Sequence, residues 1–370
     1  MKTCGIKPLS IAVLLSTGLL SGCLFEGEQS LEEIDAPPEQ ETAANPETNT
    51  EEPAPEKGSG GESAEVEEGM EGEEATTETV ARELFLIDSN GMVVPQTVEL
   101  PASKEVATQS LEYLVKGGPI SNLLPTGFEA VLPAGTQILG MNLKDNGTMV
   151  VDVSNEFKNY QPSEEQKILE AMTYTVTQFD NVDRMKLWIN GHELKEMPVS
   201  GTPISGGVSR SDGINVQVGG NTDVVNSKAV TVYYPSQQSG QEVYQVPVTT
   251  RVSTEGELYT SLVQTLLEGP ELGSSLQQPF NGEAEVTSAE LTDGVLSVTF
   301  SEGLLNGQEP NAVAEPALAS LVMSLTNMKE VEAVEVKVEG VEQVLNEAGE
   351  PLAEPVTRSD INGASEPESL

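Results

Sequence analysis

The sequence predicts an α+β fold of two tandem small domains, each a mixed β-sheet with two helices on one face. Two observations lead to this prediction. The chain contains an internal repeat with a spacing of about 148 residues, and each copy alternates strand-like runs with runs of helical spacing. At 370 residues the chain is long enough for two domains of ordinary size.

The repeat rests on four landmarks that recur in the same order. A period of this length is far too long for a solenoid, so it indicates duplicated domains. The landmarks are Leu84-Phe85-Leu86-Ile87 with Val230-Thr231-Val232-Tyr233, Leu114-Val115-Lys116-Gly117-Gly118-Pro119 with Leu266-Leu267-Glu268-Gly269-Pro270, Val151-Asp152-Val153-Ser154 with Val298-Thr299-Phe300-Ser301, and Arg210-Ser211-Asp212 with Arg358-Ser359-Asp360.

Each copy begins with two strands and a helix. The strands are predicted at 82–88 and 92–100 in the first copy and at 229–234 and 242–248 in the second. Apolar residues at helical spacing then predict a helix, which a capping box of Thr254 and Glu257 begins in the second copy. Gly117, Gly118 and Pro119, and likewise Gly269 and Pro270, are expected to stop these helices as structural motifs. The apolar positions are Ala107, Leu111, Leu114 and Val115, and Leu258, Leu262, Leu266 and Leu267.

The second half of each copy reads as a hairpin, a helix and a final strand. In the first copy the hairpin spans 136–144 and 148–153 around Asp145-Asn146-Gly147, and Asp293-Gly294 marks the same turn in the second. Pro162 and Ser163, with Gln166, announce the next helix. The last strand is predicted at 184–190 or 331–338, and it ends in a turn at Asn190-Gly191 or Glu339-Gly340. The helical stripes are Ile168, Leu169, Met172, Val176 and Phe179, and Leu318, Leu321, Val322, Leu325 and Met328.

The N-terminus reads as a lipoprotein signal peptide, residues 1–22. Lys2 and Lys7 precede a short apolar run, and Leu20-Ser21-Gly22-Cys23 resembles a bacterial lipobox. Cleavage before Cys23 and attachment of diacylglycerol and a fatty acyl chain such as palmitate to it would anchor the protein to a membrane on its extracytoplasmic face. The only other cysteine is Cys4, so the mature chain has no disulfide.

The remaining boundaries follow composition. Residues 24–81 carry 19 acidic residues and one lysine, so 23–81 is predicted to be a lipidated, disordered acidic tether. The first domain is assigned to 82–207, a linker to 208–227, the second domain to 228–362 and a disordered tail to 363–370. Gly206-Gly207 and Gly219-Gly220 are interpreted as hinges between the domains.

The charge argues against several partners. The formal net charge is −42, and from Arg82 onward 41 acidic residues face 15 basic ones. Such a surface repels phosphate backbones and anionic headgroups, so nucleic acid is not expected as a partner and the acyl chains are the expected membrane contact.

Groups typical of catalysis are scarce. His192 is the single histidine, just after a strand, without a second histidine or a cysteine to complete a metal site or a nucleophile and base pair, so a surface turn residue is the preferred interpretation. Asp180 with Asp183, and Asp152 with Glu156, match no metal-ligand loop, and Trp188 is assigned to the core. We therefore expect no enzyme, no metal, no cofactor beyond the lipid and no small-molecule substrate.

With these landmarks in place, the chain resembles the GerMN-domain family of sporulation and germination lipoproteins of endospore-forming bacteria. The resemblance covers most of the first domain and, more weakly, the second. It rests on Arg82-Glu83-Leu84, Leu86-Ile87-Asp88, Leu111-Glu112-Tyr113-Leu114-Val115, Asn155-Glu156-Phe157-Lys158-Asn159-Tyr160, Asn190-Gly191-His192-Glu193-Leu194-Lys195-Glu196-Met197-Pro198-Val199 and Gly201-Thr202-Pro203-Ile204-Ser205.

The resemblance implies a non-enzymatic role in sporulation and germination. It implies an α-β-β-α-β core similar to the ring-building motifs of secretion machinery, and an assembly or stabilising role for the channel complex between mother cell and forespore, in the space between their membranes. Two other functions stay open on the residues alone. One is a lipoprotein that captures a small solute or wall fragment between its domains, and the other is a carboxylate-dependent wall hydrolase.

Overall fold

The computed structural model describes residues 79–119, 123–217, 225–238, 242–305 and 311–362. Cys23, the lipobox residues Leu20, Ser21 and Gly22, most of the predicted tether, Gly219-Gly220 and the predicted tail 363–370 lie outside these residues. The first domain begins at Thr79, within the predicted tether, because β1 pairs with β2 from there onward. In the described residues no helix is both long enough and apolar enough to cross a membrane.

Both copies have the predicted order of elements, so the α+β prediction of two tandem domains is confirmed. In the first domain the elements are β1 (Thr79–Asp88), β2 (Val93–Pro101), α1 (Val106–Glu112), β3 (Phe128–Glu129), β4 (Ile138–Leu143), β5 (Thr148–Val153), α2 (Glu165–Val176), β6 (Arg184–Ile189) and β7 (His192–Glu193). In the second they are β8 (Ser227–Gln237), β9 (Val243–Ser253), α3 (Leu258–Glu268), β10 (Val286–Thr292), β11 (Val295–Phe300), α4 (Glu315–Leu325), β12 (Ala333–Val338), β13 (Val356–Thr357) and α5 (Arg358–Asn362).

Each domain carries a mixed sheet. Strands β4-β5-β6-β7 form the sheet of the first domain and β10-β11-β12-β13 that of the second, with β5 parallel to β6 and β11 parallel to β12. Asn190 and Asp293 take positive φ, followed by Gly191 and Gly294, which is the conformation that tight two-residue hairpins require. These turns were predicted from the sequence and are confirmed.

The leading strands form separate sheets, β2-β1-β3 and β8-β9, which cover the second helix of each domain from the other side. The apolar stripe of α2 predicted one buried face, but the opposite face is buried as well. Phe85 of β1 packs on Tyr174 of α2 with ring centroids 5.3 Å apart. The hairpins thus add a third layer, with each second helix between a hairpin and a sheet.

Two hydrogen bonds fix how the copies correspond. The Phe85 N–H donates to the Thr175 hydroxyl of α2 (3.3 Å), and the Tyr233 N–H donates to the Ser324 hydroxyl of α4 (2.8 Å). Phe85 therefore corresponds to Tyr233. The sequence alignment of the repeat placed Phe85 opposite Thr231, which is wrong by two residues because a two-residue slip keeps the same side chains on the buried face.

The predicted helix ends are correct in one copy only. Helix α3 ends at Glu268, and Gly269 follows at φ 84° with its N–H bonded to the Thr265 and Leu266 carbonyls. Helix α1 ends at Glu112, before the glycines. Leu114 leaves the helix because its carbonyl accepts the N–H groups of Val131 and Leu132 at 3.0 and 2.8 Å. In the first copy Gly117, at φ 73°, and Gly118 therefore form a later turn, with Pro119 exposed beyond it.

The predicted helix starts also need correction. Helix α3 begins at Leu258 with Glu257 as its N-cap and no side-chain capping bond, so the box of Thr254 and Glu257 is wrong. Before α2, the capping box joins Gln161 and Glu164 in a short 3₁₀ turn rather than Ser163 and Gln166. Pro162 takes the first position of that turn, so the cap lies at Gln161, two residues upstream of Ser163.

The repeated Arg-Ser-Asp landmark is a clamp that closes each domain. Arg210 lies 4.7 Å from the centroid of the Tyr174 ring and donates to the Tyr174 carbonyl (3.2 Å) and the Thr177 hydroxyl (2.9 Å). The guanidinium therefore stacks on an aromatic ring and binds a carbonyl at the end of α2, where the helix dipole is negative.

The second copy repeats this clamp with different aromatic partners. Arg358 lies 5.0 Å from the centroid of the Tyr233 ring and donates to its hydroxyl (2.8 Å) and to the Met323 carbonyl of α4 (3.3 Å). The Asp360 carboxylate accepts the Thr357 N–H and hydroxyl, as Asp212 accepts the Ser209 groups in the first copy. The aspartates thus hold the turn that presents each arginine.

One buried carboxylate holds a loop onto the first domain. Glu165, only 2% exposed at the start of α2, accepts from the Tyr160 hydroxyl (2.8 Å), the Ser200 N–H (2.7 Å) and both the hydroxyl (2.6 Å) and N–H (3.3 Å) of Thr202. Burial by itself would raise the pKa of Glu165, but these hydrogen bonds outweigh it and lower the pKa.

We expect Arg358→Lys and Arg210→Lys each to lower the free energy of unfolding by about 1–2 kcal/mol, because lysine keeps the charge but loses the planar stack and the fork of donors. Urea denaturation measures this change. Arg184→Lys, at an exposed arginine, is the matched control. A clamp variant that unfolds at the same urea concentration as this control would contradict the assignment.

We expect Glu165→Gln to lower the free energy of unfolding by about 1–3 kcal/mol at neutral pH, since an amide group then faces donors. Because the folded-state pKa of Glu165 is lowered from 4.5, its contribution is complete above that pH and is lost as the pH falls below it. The difference between wild type and variant should therefore shrink in acid, as measured by urea unfolding from pH 7 to 3. Glu112→Gln, at an exposed position, should show no such pH-dependent difference.

Candidate interaction site between the two domains

The two domains pack directly against each other, and the first part of the predicted linker is the joint. Ile214 is fully buried, and its N–H donates to the Thr249 hydroxyl of β9 (2.9 Å). The Thr249 N–H donates to the Ile214 carbonyl (2.8 Å), and the Gln217 N–H donates to the Thr249 carbonyl (2.9 Å). Residues 214–217 therefore run along the edge of β9.

Asn215 connects the two hairpins. Its side-chain amide donates to the carbonyls of Val93 in β2 (2.7 Å) and Pro247 in β9 (2.8 Å), and its side-chain oxygen accepts the Val93 N–H (2.9 Å). The residue has φ 46°, a conformation that asparagine tolerates better than most residues. The Asn215 side chain thus hydrogen-bonds to both β2 and β9, as a short strand placed between them would.

A carboxylate from α2 completes the joint. Glu170 accepts the Asn215 N–H (3.2 Å), and its burial raises the pKa of this carboxyl. The joint therefore contains a buried polar network in which nearly every group is hydrogen-bonded. Such a network holds the joint in one defined geometry.

Aromatic residues form a second contact between the domains. The Tyr244 ring of β9 packs edge-on against Phe128 at 5.1 Å, and its hydroxyl donates to the Asp88 carboxylate (2.8 Å). Burial is the main reason why the pKa of Tyr244 is raised, so the hydroxyl remains a donor at physiological pH. Gln238 donates to the Gly127 carbonyl (3.1 Å), and a side chain on Gly127 would occupy the place of its amide.

Between the joined hairpins lies a cavity of about 880 Å³, here called the interdomain groove. Its lining comes from both domains and from the end of the second copy. It consists of Glu83, Pro95, Thr97, Glu242, Val243, Tyr244, Gln245, Glu315, Pro316, Leu318, Ala319, Met323, Asn346, Glu347, Ala348, Asp360 and Ile361.

The groove is acidic at its rim and apolar at its floor. Five of the described lining residues are carboxylates, and none is a lysine, arginine or histidine. Leu318, Ala319 and Met323 of α4 are buried, so they form the floor, whereas Glu242 and Glu315 are exposed. The carboxylates of Glu242 and Glu315 make no hydrogen bond or ion pair with the other described residues.

The outer main-chain edges of both hairpins face this groove, and in β2 the Pro95 carbonyl accepts the Gln96 side-chain amide (2.7 Å). In an antiparallel pair, every second residue points its N–H and C=O away from the partner strand. Thr249 and Pro247 point away from β8, as their bonds to residues 214–217 show, so Gln245 and Val243 do the same. Val93 of β2 bonds to Asn215, and Pro95 and Thr97 follow at the same alternation.

The prolines in these strands agree with this geometry. Pro95 and Pro247 pair with Phe85 and Tyr233 at positions where the nitrogen points out of the hairpin, so the missing N–H breaks no ladder bond. The single proline in each of the predicted strands 92–100 and 242–248 was therefore a signal for an edge strand.

The other sequence-predicted positions fall elsewhere. His192 is exposed in β7 beyond the Asn190-Gly191 turn, as expected for a surface turn residue. Trp188 is half-buried and its ring N–H is buried with no hydrogen-bond partner among the described residues. Gly206-Gly207 form a turn inside the first domain, next to the bridge of Val208 with Met185, so this pair is not a hinge between domains.

The carboxylate pairs considered from sequence do not form a metal site in the structure. Asp152 accepts the Gly191 N–H at 2.9 Å, and Asp180 and Asp183 lie exposed between α2 and β6. Across the described residues, no group of three or more His, Cys, Asp or Glu side chains is placed to hold a metal ion.

Sequence reasoning missed the joint. Asn215 was assigned to a linker because it lies in a run of glycine and polar residues with no periodicity. The repeat contained one usable signal, since Ile-Asn comes after Arg-Ser-Asp in both copies, beyond Gly213 at Ile214-Asn215 and directly at Ile361-Asn362.

We expect Asn215→Gly to loosen the joint, because glycine keeps the positive φ but removes all three side-chain hydrogen bonds. Amide hydrogen exchange should become faster in the segments around Val93 and Thr249. Asn190→Gly, at another asparagine with positive φ, is the matched control and should leave those segments unchanged. Equal protection in both variants would show that Asn215 does not hold the domains together.

Comparison with known proteins agrees with the duplicated fold. A family model described as "Germane: Sporulation and spore germination" matches residues 83–195 and 231–344. The spore germination protein GerM of Bacillus subtilis (strain 168) is 43% identical over 369 residues, which are 98% of this chain and 99% of that protein.

A solved structure of the tandem GerMN domains of the sporulation protein GerM from Bacillus subtilis is also similar. It is 45% identical, with a TM-score of 0.70, and the match covers 76% of this chain and 98% of that one. The chain therefore belongs to the Germane family of sporulation and spore germination proteins and carries two tandem GerMN domains.

Proposed function

We propose that this protein is a non-catalytic lipoprotein that assembles or stabilises the channel complex between mother cell and forespore. Cys23 carries the lipid and holds the chain on the extracytoplasmic face of the membrane, in the space around the forespore. The acidic residues 24–78 separate the folded domains from that membrane. Protein components of the channel complex are the partners.

The observation that carries the proposal is the distribution of polar groups. Buried Glu165 and half-buried Arg210 and Arg358 have hydrogen-bond partners within their own domains. The main-chain edges of β2 and β9 instead point toward the interdomain groove. A protein that acts by contact needs such surfaces, whereas a catalyst needs a titratable group aimed at a substrate.

The outer faces of the two sheets offer further contact surface. In the first domain this face includes Asn142, Lys186 and half-buried Trp188, and Leu139 beside it is 48% exposed. In the second domain the same face is polar, with Ser297, Glu335 and Lys337 on neighbouring strands. Because the two faces differ in chemistry, the duplicated domains are suited to different contacts.

Capture of a small solute or wall fragment would use the same groove. The groove is large enough, since small-molecule sites typically enclose about 300–1,000 Å³. Its carboxylates, however, would repel the carboxylates of wall fragments. Thermal-shift screening with muropeptides tests this alternative, and we expect no shift of the melting temperature.

We expect Cys23→Ala to abolish incorporation of labelled palmitate and to move the protein out of the detergent phase in phase partition, because the acyl chains supply the membrane affinity. Cys4→Ala is the matched control, since it alters the other cysteine and should leave labelling intact. Labelling that survives Cys23→Ala would contradict the anchor.

The assembly role is tested by cross-linking and affinity purification from sporulating cells. Channel components should be recovered with the wild-type protein. They should not be recovered with the Cys23→Ala protein, and cells with this variant should form fewer spores. Normal spore yield and unchanged recovery in Cys23→Ala cells would count against an anchored assembly factor.

A further inference from the structure

We propose that the interdomain groove binds an extended, basic segment of a partner protein, which adds as a strand to the free edge of β9. The Lys or Arg side chains of this segment pair with the carboxylates at the rim, and its alternate apolar side chains lie on the floor. This inference rests on the contact role proposed above and names the chemistry of one contact.

The main chain of β9 supplies the first part of the argument. At Thr249 and Pro247 the outer edge of this strand is already occupied by residues 214–217. At Gln245 and Val243 the same edge lines the groove, and no described residue outside β8 hydrogen-bonds to their main chain. An edge of this kind is a template for an added strand.

The floor and the rim supply side-chain selectivity. An added strand turns alternate side chains to opposite sides. One set then meets Leu318, Met323 and Ile361, and the other meets the carboxylates. Val243, whose side chain is 42% exposed at the groove, offers further apolar surface.

The charge of the groove selects the occupant. With five carboxylates and no cationic side chain among its described lining residues, the groove favours a cationic segment. The chain's own terminal segments do not qualify. Residues 24–81 carry 19 acidic residues and one lysine, and residues 363–370 carry Glu366 and Glu368 and no basic residue. The occupant therefore comes from another protein.

A fluorescent decapeptide of alternating lysine and valine is the probe, with fluorescence polarisation as the readout on the full-length protein in detergent. We expect binding that weakens as salt is raised, since the paired charges lie at an exposed rim. A peptide with glutamate in place of lysine should not bind. A lysine peptide with alternate main-chain nitrogens methylated should bind about tenfold more weakly, because it cannot form the ladder.

Two variants test the rim charges and the strand edge separately. Glu242→Lys with Glu315→Lys reverses two rim charges and should weaken binding about tenfold. Glu283→Lys with Glu290→Lys makes the same change of charge at exposed residues away from the groove and is the matched control. Val243→Pro removes one outward N–H without removing a bond to β8, and it should also weaken binding.

Equal binding of the lysine and glutamate peptides, or binding that the groove variants and the control variant change alike, would overturn the proposal. If Val243→Pro does not fold, the methylated peptide tests the strand edge by itself, and undiminished binding of that peptide would overturn strand addition.

Failure here is distinguishable from failure of the assembly role. Channel components that still co-purify with Glu242→Lys/Glu315→Lys protein would overturn the groove as their binding site and leave the assembly role standing. Absence of channel components from the wild-type sample would instead contradict the assembly role.

Discussion

The packing of the two domains depends on the side-chain amide of Asn215, which hydrogen-bonds to β2 and β9 where a strand between them would otherwise do so. Asn215 bonds to both main-chain groups of Val93 and to the carbonyl of Pro247. These bonds bring the edges of β2 and β9 together at one end. Farther along, at Thr97 and Val243, both edges line the opening. The groove therefore opens beside the joint that Asn215 forms, and the contact of Tyr244 with Asp88 also joins the two domains.

The duplicated domains share a way of closing and differ in how they are reinforced. In both, an arginine stacks on a tyrosine and binds a carbonyl of the second helix, and an aspartate holds the turn before it. Only the first domain is reinforced by a carboxylate that accepts hydrogen bonds from four donors, that of Glu165. In the second, the Glu347 carboxylate accepts the Glu315 N–H at the start of α4, a simpler cap. This asymmetry indicates that the loop of residues 195–204 has a defined shape in the first domain.

Local sequence signals predicted which strands and helices form, but they predicted only some of the ends of these elements correctly. The strand 148–153 was predicted to the residue, and the turns at Asn190-Gly191 and Asp293-Gly294 are as expected, because positive φ is a property of the residues themselves. The end of α1 was wrong because Leu114 gives its carbonyl to Val131 and Leu132, which lie on a distant loop. The register of the repeat was wrong for a similar reason, since Thr175 and Ser324 fix it from another element.

The sequence alone determined the duplication, the order of strands and helices, the α+β class and the acidity, since these follow from periodicity, turn residues and composition. The tertiary structure alone decided the joint, the groove and the buried second face of α2. Their hydrogen bonds connect residues far apart in the chain, such as Val93 with Asn215 and Asp88 with Tyr244. No local pattern encodes such pairs, because an isolated asparagine or tyrosine carries no signal of the partner that folding brings to it.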